Sequence, residues 1–335
     1  MSSPVFTAPV FSLVIPIFNE EAVLPILLKR IDGLLGQIAE PTEVIFVDDG
    51  SRDTSGIVLA ARARADARIR YIALSRNFGH QIAISAGMDA AAGQAVIVMD
   101  ADLQDPPEVV LELIRKWREG YEIVHARRRS RDGESRFKLW SAALFYRGLR
   151  LLTSVEIPAD VGDFRLIDRK ALDTFRAMPE RHRFVRGMFG WMGFRQGIVE
   201  FERAARAAGT TKYSLSKMLR LALDGVVSFS DVPLRLALWL GAAVSGLAVL
   251  YGLVITVLAG FQFDLVSGWA STVVLISLLS GANLMMTGIV GLYVGRIHAE
   301  VKGRPLYVVG RTVGFERAAA AADPAATPRN RRAAS

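Results

Sequence analysis

Asp100-Ala101-Asp102-Leu103-Gln104-Asp105 follows the apolar run Ala95 to Met99 without a break. An apolar run of that length, ended by polar residues, reads as a buried strand. Two carboxylates one residue apart then stand at its C-terminal end, with a carboxamide and a third carboxylate close behind. Grouped oxygen donors suit a hard divalent cation, Mg²⁺ or Mn²⁺, holding a phosphorylated ligand. Solvated strand-end residues or helix caps are the bland alternative; the unbroken polar cluster through Gln104 and Asp105 favours the cation. Asp48-Asp49-Gly50-Ser51 closes another apolar run, Val44 to Val47, and alone would pass for a turn. Polarity repeated at the ends of the first, second and fourth runs makes a nucleotide site the better reading. The four histidines, His80, His125, His182 and His298, are scattered without metal-ligand spacing, and there is no cysteine for a thiolate site. Neither the dinucleotide glycine fingerprint nor a P-loop is present, which disfavours dehydrogenases and P-loop NTPases.

The elements that position these residues alternate. Phe11 to Pro16 predicts a strand, then Val23, Ile26, Leu27, Ile31, Leu34 and Leu35 recur at helical spacing. Strands are expected at 43–47 and 69–74, with a helix opened by Asp53-Thr54 between them and another over 81–91 leading into the run at 95. Such alternation implies a parallel, doubly wound α/β sheet, whose ligands bind at the C-terminal strand ends. Beyond Glu108 a helix is expected over 109–117, a strand near 123–126 and an amphipathic helix around 137–152. Arg127-Arg128-Arg129-Ser130-Arg131 is a basic run, readable as a solvated loop or as a phosphate contact. Asp163 to Arg169 forms a second dense polar–apolar cluster, and Arg203 to Tyr213 another basic stretch.

With 335 residues the chain has room for one large domain and more. Hydrophobic residues make up 51% of it and mean hydropathy is +0.29. The excess sits between Leu236 and Gly295, where Asp264 is the only charged residue. Leu236 to Phe263 and Leu265 to Gly295 are each long enough to span hydrocarbon, for which about 20 residues suffice. Gly281, Gly288, Gly291 and Gly295, with Ala282, would let helices pack closely. The loop between the spans lacks Lys and Arg, whereas Arg220, Arg235, Arg296, Lys302 and Arg304 flank the outer ends, which puts both termini in the cytoplasm. The first residues carry no signal-peptide pattern. A net charge of +8 beside such spans points to anionic lipid or phosphorylated substrates rather than nucleic acid. The expected organisation is a catalytic domain over 1–213 and an amphipathic interfacial helix over 214–233. Two transmembrane helices follow over 234–295, with a short external loop near 262–269, then a cytoplasmic juxtamembrane segment over 296–317. The Ala/Pro/Arg-rich tail of 318–335 is expected to be disordered.

The ordered set Ile15-Pro16-Ile17-Phe18-Asn19-Glu20, Val47-Asp48-Asp49-Gly50-Ser51, Arg76-Asn77-Phe78-Gly79 and Asp100 to Glu108 resembles the family-2 glycosyltransferases of GT-A fold. Within them it is similar to the dolichyl-phosphate mannose synthase branch. Gly162-Asp163-Phe164-Arg165, Arg206 to Tyr213 and Phe229-Ser230, with two C-terminal spans, narrow the resemblance to bacterial polyisoprenyl-phosphate glycosyltransferases of the bactoprenol glucosyltransferase type. That resemblance implies a membrane-bound hexosyltransferase of the cell envelope, at the cytoplasmic face of the inner membrane. It would pass glucose from UDP-glucose to undecaprenyl phosphate with inversion; mannose, galactose and aminoarabinose are the alternative sugars. Pro16, Phe18, Glu20, Asp48 and Asp49 would line the nucleotide pocket; Phe18 stands where the family often has Tyr. Asp100, Ala101 and Asp102 would hold the nucleotide sugar, with Asp100, Asp102 and Gln104 on its metal. Arg127, Arg131, Arg165, Arg206 and Lys212 match basic positions that engage phosphates, with the register among 127–131 open. Asp163 and Arg165 fall with Asp102 in the catalytic group, Asp163 as a base or as a positioning group. A homo-oligomer, a tetramer, is also implied. A processive polysaccharide synthase would carry Gln-x-x-Arg-Trp, which is absent. A dehalogenase-type phosphatase would carry its Asp-x-Asp on the first strand. A membrane sugar-nucleotide sensor without catalysis is the reading from another class.

Overall fold

A computed structural model describes residues 8–129, 161–181, 183–202, 232–260 and 268–315. The described residues divide between two compact units, one built on the sheet and the other containing two long helices. The sheet unit opens with β1 (Phe11–Ile17), α1 (Leu24–Leu35), β2 (Thr42–Asp48), α2 (Ser55–Ala65), β3 (Ile69–Leu74), α3 (His80–Ala90) and β4 (Ala95–Val98). It continues with α4 (Val109–Arg118), β5 (Ile123–Arg128), β6 (Val161–Asp168), α5 (Arg169–Ala177), α6 (Val185–Trp191) and β7 (Gln196–Phe201). The long helices are α7 (Val232–Gly260) and α8 (Trp269–Val301), after which β8 (Val309–Val313) rejoins the sheet.

Strand order is β7-β5-β6-β4-β1-β2-β3-β8. The central β4-β1-β2-β3 set is parallel, as the alternation predicts. The sheet as a whole is mixed, because β6 runs antiparallel between β4 and β5, and β8 runs antiparallel along β3. Every residue of β1 and β2 is buried, as expected of strands covered on both faces. On one face Phe11, Leu13, Ile15 and Ile17 of β1 share a core with Leu24, Leu27, Ile31 and Leu34 of α1. Full burial of such side chains is worth about 1.5–3 kcal/mol each. On the other face α3 lies so close that a Cβ on Gly87 would meet Val14 Cγ1 at 2.3 Å and Val47 Cγ2 at 3.0 Å. A larger residue there would push the helix off the strands that carry the site.

β6 was not legible as a strand, yet it has the period of one. Phe164 and Leu166 belong to the core, while Asp163 and Arg165 point to the opposite face. The segment expected to be juxtamembrane is divided: α8 continues to Val301, and Val309–Val313 is strand β8. A buried ion pair, Glu43–Arg70 at 2.7 Å, lies between β2 and β3. Glu43 also accepts from Ser12 Oγ and, at 2.7 Å, from the Ala92 backbone N–H. Phe315, just beyond β8, lies over the Arg70 guanidinium at 5.2 Å.

In the second unit, Leu234–Val254 and Val274–Val301 are long and apolar enough to cross a membrane. Leu236, Leu238, Trp239, Leu247 and Val249 of α7, and Val274, Leu278 and Leu284 of α8, are exposed. A Cβ on Gly241 would meet Met286 Sδ at 3.4 Å, so the two helices touch there. Gly281, Gly288, Gly291 and Gly295 have nothing within 4 Å of a Cβ among the described residues, so they are not where α7 and α8 pack. The expected helix at 137–152, residues 214–231 of the expected interfacial helix, residues 262–267 of the expected external loop and the tail of 318–335 lie outside the described residues, while Val232 and Pro233 open α7 and Gly268 and Trp269 stand at the start of α8.

Candidate active site

The loops leaving β1, β2, β3 and β4 meet at the C-terminal edge of the parallel strands around a cavity of about 300 Å³. Pro16, Phe18 and Glu20 come from β1, Asp49 from β2, Asn77, Gly79 and His80 from the end of β3, and Asp100, Ala101 and Asp102 from β4. The first two loops are laced together. Asn19 N–H donates to Ser51 Oγ at 3.0 Å, Arg52 N–H to Asn19 Oδ1 at 2.8 Å and Glu20 N–H to Ser55 Oγ at 3.1 Å. Asp49 ties the second loop to the third, accepting from the N–H groups of Phe78 at 2.7 Å and Gly79 at 2.9 Å. Burial raises its pKa despite those two donors. Gly50, at φ 75°, lets the loops close: a Cβ there would stand 2.7 Å from the Arg76 carbonyl carbon and the Asn77 nitrogen.

The β4–β6 ladder explains how two carboxylates distant in sequence come together. Val98 pairs with Arg165 at the end of the ladder, and carrying that antiparallel register two residues further would bring Asp100 opposite Asp163. His80 lies between them, its Nε2 3.4 Å from Asp100 Oδ1 and 3.4 Å from Asp163 Oδ2. Asp163 also accepts from Gln81 Nε2 at 2.9 Å, Arg165 Nη2 at 3.2 Å and Arg186 through Nε at 3.0 Å and Nη2 at 3.3 Å. Burial works to raise the Asp163 pKa, but Arg186, His80 and Arg165 outweigh it and hold this carboxyl well below the usual range. Burial likewise works to lower the His80 pKa, and the two carboxylates reverse that, raising it to about 8. Burial pushes Asp100 up.

Comparison with known proteins sets this geometry in context. The model of glycosyl transferase family 2 matches residues 12–176. An uncharacterized glycosyltransferase of Bacillus subtilis, YkcC, is 48% identical over 306 residues, covering 91% of this chain and 95% of that one. The chain belongs to glycosyltransferase family 2. An Escherichia coli prophage bactoprenol glucosyl transferase homolog is 38% identical over 303 residues, covering 90% of this chain and 98% of its own. Among solved structures, mannosyl-3-phosphoglycerate synthase from Rubrobacter xylanophilus aligns with 65% of the chain and 72% of its own, at 19% identity and a TM-score of 0.47.

In this family-2 enzyme the sequence-expected residues fall into three groups. Pro16, Phe18, Glu20, Asp49, Asp100, Ala101 and Asp102 line the cavity. Asp48, Gln104, Arg127, Asp163 and Arg165 are not among its lining residues. Asp48 is buried in its own turn, accepting from Ser51 N–H and the Tyr71 hydroxyl, each at 2.8 Å. Gln104 meets Asp102 through its backbone, its N–H donating to Asp102 Oδ1 at 3.1 Å. Arg127 pairs with Glu200 of the neighbouring strand β7. Arg165 is 1% exposed and spends its guanidinium on Asp163 and the Gly162 carbonyl oxygen. Arg131, Arg206 and Lys212 lie outside the described residues. Sequence reasoning missed His80, Gln81 and Arg186. The first two directly follow the Arg76–Gly79 motif, but a search for histidines at metal spacing passes over an imidazole that serves carboxylates from other strands. Arg186 carried no signal of its own.

Proposed function

We propose that this glycosyltransferase passes glucose from UDP-glucose, with inversion at the anomeric carbon, to a polyprenyl phosphate of the undecaprenyl class at the cytoplasmic face of the membrane. One observation carries the reading: a carboxylate-lined cavity at the strand ends and two membrane-length helices share a chain similar, over nine-tenths of its length, to a bactoprenol glucosyl transferase homolog. The cavity suits a nucleotide sugar, with the Phe18 ring, 42% exposed, as a stacking surface and Glu20 and Asp49 as polar contacts.

Asp100 and Asp102 fit a divalent cation. Asp100 Oδ1 is buried and accepts no hydrogen bond among the described residues, the His80 Nε2 at 3.4 Å standing near it as an ion-pair partner only, and the ligand atoms are all oxygen, which suits Mg²⁺ or Mn²⁺. When bound, the cation would neutralise charge developing on the departing diphosphate. Gln104 would support it by fixing Asp102 from the backbone. The acceptor, a phosphate monoester with a second pKa near ~6, arrives largely ionised, so no strong base is needed. Asp163, held by cations as an anion, acts in this reading as a positioning group that aims Arg186 and His80. Arg127, Arg131, Arg206 and Lys212 would supply further phosphate contacts.

The return of the chain to the sheet as β8 supports two crossings, with the catalytic domain and both termini in the cytoplasm. The glycines of α8, which have no neighbour within 4 Å of a Cβ among the described residues, support a homo-oligomer with close helix contacts between copies. The test offers the purified protein undecaprenyl phosphate and labelled UDP-glucose, with nucleotide-linked mannose, galactose and aminoarabinose in parallel and metal supplied. Label from UDP-glucose is expected in the solvent-extracted lipid. Label from another donor replaces glucose, and no lipid-linked label from any donor overturns the transfer reading. Asp102→Ala should abolish transfer while the protein stays in the membrane; retained transfer would refute the cation assignment.

A further inference from the structure

His80 is the first residue of α3, preceded by Gly79 at φ 102° in a conformation that glycine adopts freely. From there its imidazole lines the cavity with Asp100 and Asp102, and 47% of its side chain is exposed. Asp163, by contrast, is 7% exposed and is not among the lining residues. One nitrogen, Nε2, lies 3.4 Å from a carboxylate of each strand, so Asp100 and Asp163 are no further apart than twice that distance. Two carboxylates that close on adjacent strands repel unless a donor stands between them. Gln81, Arg165 and Arg186 hydrogen-bond to Asp163, and the charge of Arg186 also reaches Asp100, but His80 Nε2 stands at the same short distance from an oxygen of each.

We propose that His80 is a positioning residue for sugar transfer: it ties Asp100 to Asp163 and so sets the spacing between the donor-holding carboxylates and the Asp163–Arg186 cluster. The inference rests on the transfer reading above. Displacement needs the acceptor oxygen roughly 3–3.5 Å from the anomeric carbon, and a misplacement of about 1 Å costs on the order of 100-fold in rate. A residue that fixes one half of the site against the other therefore acts on turnover, and a residue that only walls the donor pocket acts on donor binding.

The test compares full-length wild type, His80→Phe and His80→Gln in detergent with prenyl phosphate, using whichever nucleotide sugar the wild type accepts. The glutamine amide can still donate towards both carboxylates; the phenyl ring cannot. Calorimetric titration with UDP and Mn²⁺, without acceptor, reads donor-side binding independently of turnover. His80→Phe is expected to lower kcat by about 100-fold. Its donor KM and its UDP–Mn²⁺ Kd should stay within about threefold of wild type. His80→Gln is expected to recover about tenfold or more of that loss. The proposal is overturned if His80→Phe keeps wild-type kcat, or if its loss lies wholly in donor KM and UDP–Mn²⁺ affinity. It is also overturned if His80→Gln is as slow as His80→Phe while both melt like wild type. A wild type that moves no sugar onto prenyl phosphate takes down the transfer reading and this inference together, whereas an active wild type with an indifferent His80→Phe takes down this inference alone.

Discussion

At Asp163, Gln81, Arg165, Arg186 and His80 converge on two oxygens, and three of those partners are cations or can become so. The carboxylate keeps its charge and gives up basicity, which suits an acceptor that brings its own ionised oxygen. A different histidine sets a test in pH. His125 of β5 is 2% exposed, its Nε2 2.9 Å from Gln196 Oε1. Burial, then the charge of Arg165, push its pKa down to about 3 from an ordinary 6.5. Between those values the unfolded chain binds the proton and the folded chain does not, so stability falls as pH falls through that window. Above pH 6.5 the residue contributes no slope. The full chain in detergent should lose up to about 1.4 kcal/mol per pH unit through this residue below pH 6.5. His125→Gln should flatten the dependence in denaturant titrations at pH 5 and pH 7, and an unchanged slope would refute it. Asp100 and Asp102 were legible because carboxylates directly after an apolar run are a local signal. The burial of Arg165 and the reach of His80 were not, because neighbours from other strands set them.

Between elements, the site depends on how closely the β2 and β3 loops approach. Asp48-Asp49-Gly50-Ser51 and Arg76 to Gly79 were both visible as motifs, but their contact was not, since no sequence spacing reports that Asp49 accepts the N–H groups of Phe78 and Gly79. Gly50 and Gly79 separate strain from contact. A Cβ on Gly79 meets nothing within 4 Å among the described residues, so Gly79→Ala carries chiefly the cost of a backbone at φ 102° and ψ 152° that almost only glycine adopts, ~1–3 kcal/mol. Gly50→Ala carries a similar conformational cost and also drives a methyl into the Arg76–Asn77 backbone. It should lower the melting temperature more than Gly79→Ala and raise donor KM, because Asn77 and His80 line the cavity. Equal effects of the two substitutions would argue that loop contact is not limiting. The strands β1 to β5 were legible from apolar runs near their observed bounds. β6 and β7 were not, because Asp163 and Arg165 interrupt one with charge, and the other buries Gly197 while exposing the apolar Ile198, which blurs its alternation.

For the whole molecule, the sheet's outer strand comes from beyond the membrane-length helices. β8 was unreadable because Val309 to Val313 is short and carries Gly310 and Arg311, and its partner β3 lies in the first quarter of the chain. A chain ending at Arg304 would keep the strands that line the cavity and both long helices but lose β8 and the Phe315 ring over Arg70. It should still enter the membrane and should melt lower, by roughly 2–4 °C for each kcal/mol lost. An unchanged midpoint would make β8 dispensable. Gly314, at φ 90° and with Ile69 O 2.6 Å from where a Cβ would stand, marks how tightly this return is fitted.

That return has a consequence for synthesis. β3 leaves the ribosome well before β8, so one edge of the sheet waits for its partner while α7 and α8 are made. At ~5–20 residues per second the delay is on the order of tens of seconds. Throughout it, β3 presents open backbone groups to any extended chain nearby. The catalytic domain is therefore completed only after its anchor exists. A chain cut short before Val309 is therefore one whose β3 edge stays open, a template for pairing with other extended chains and a mark for chaperones or proteases.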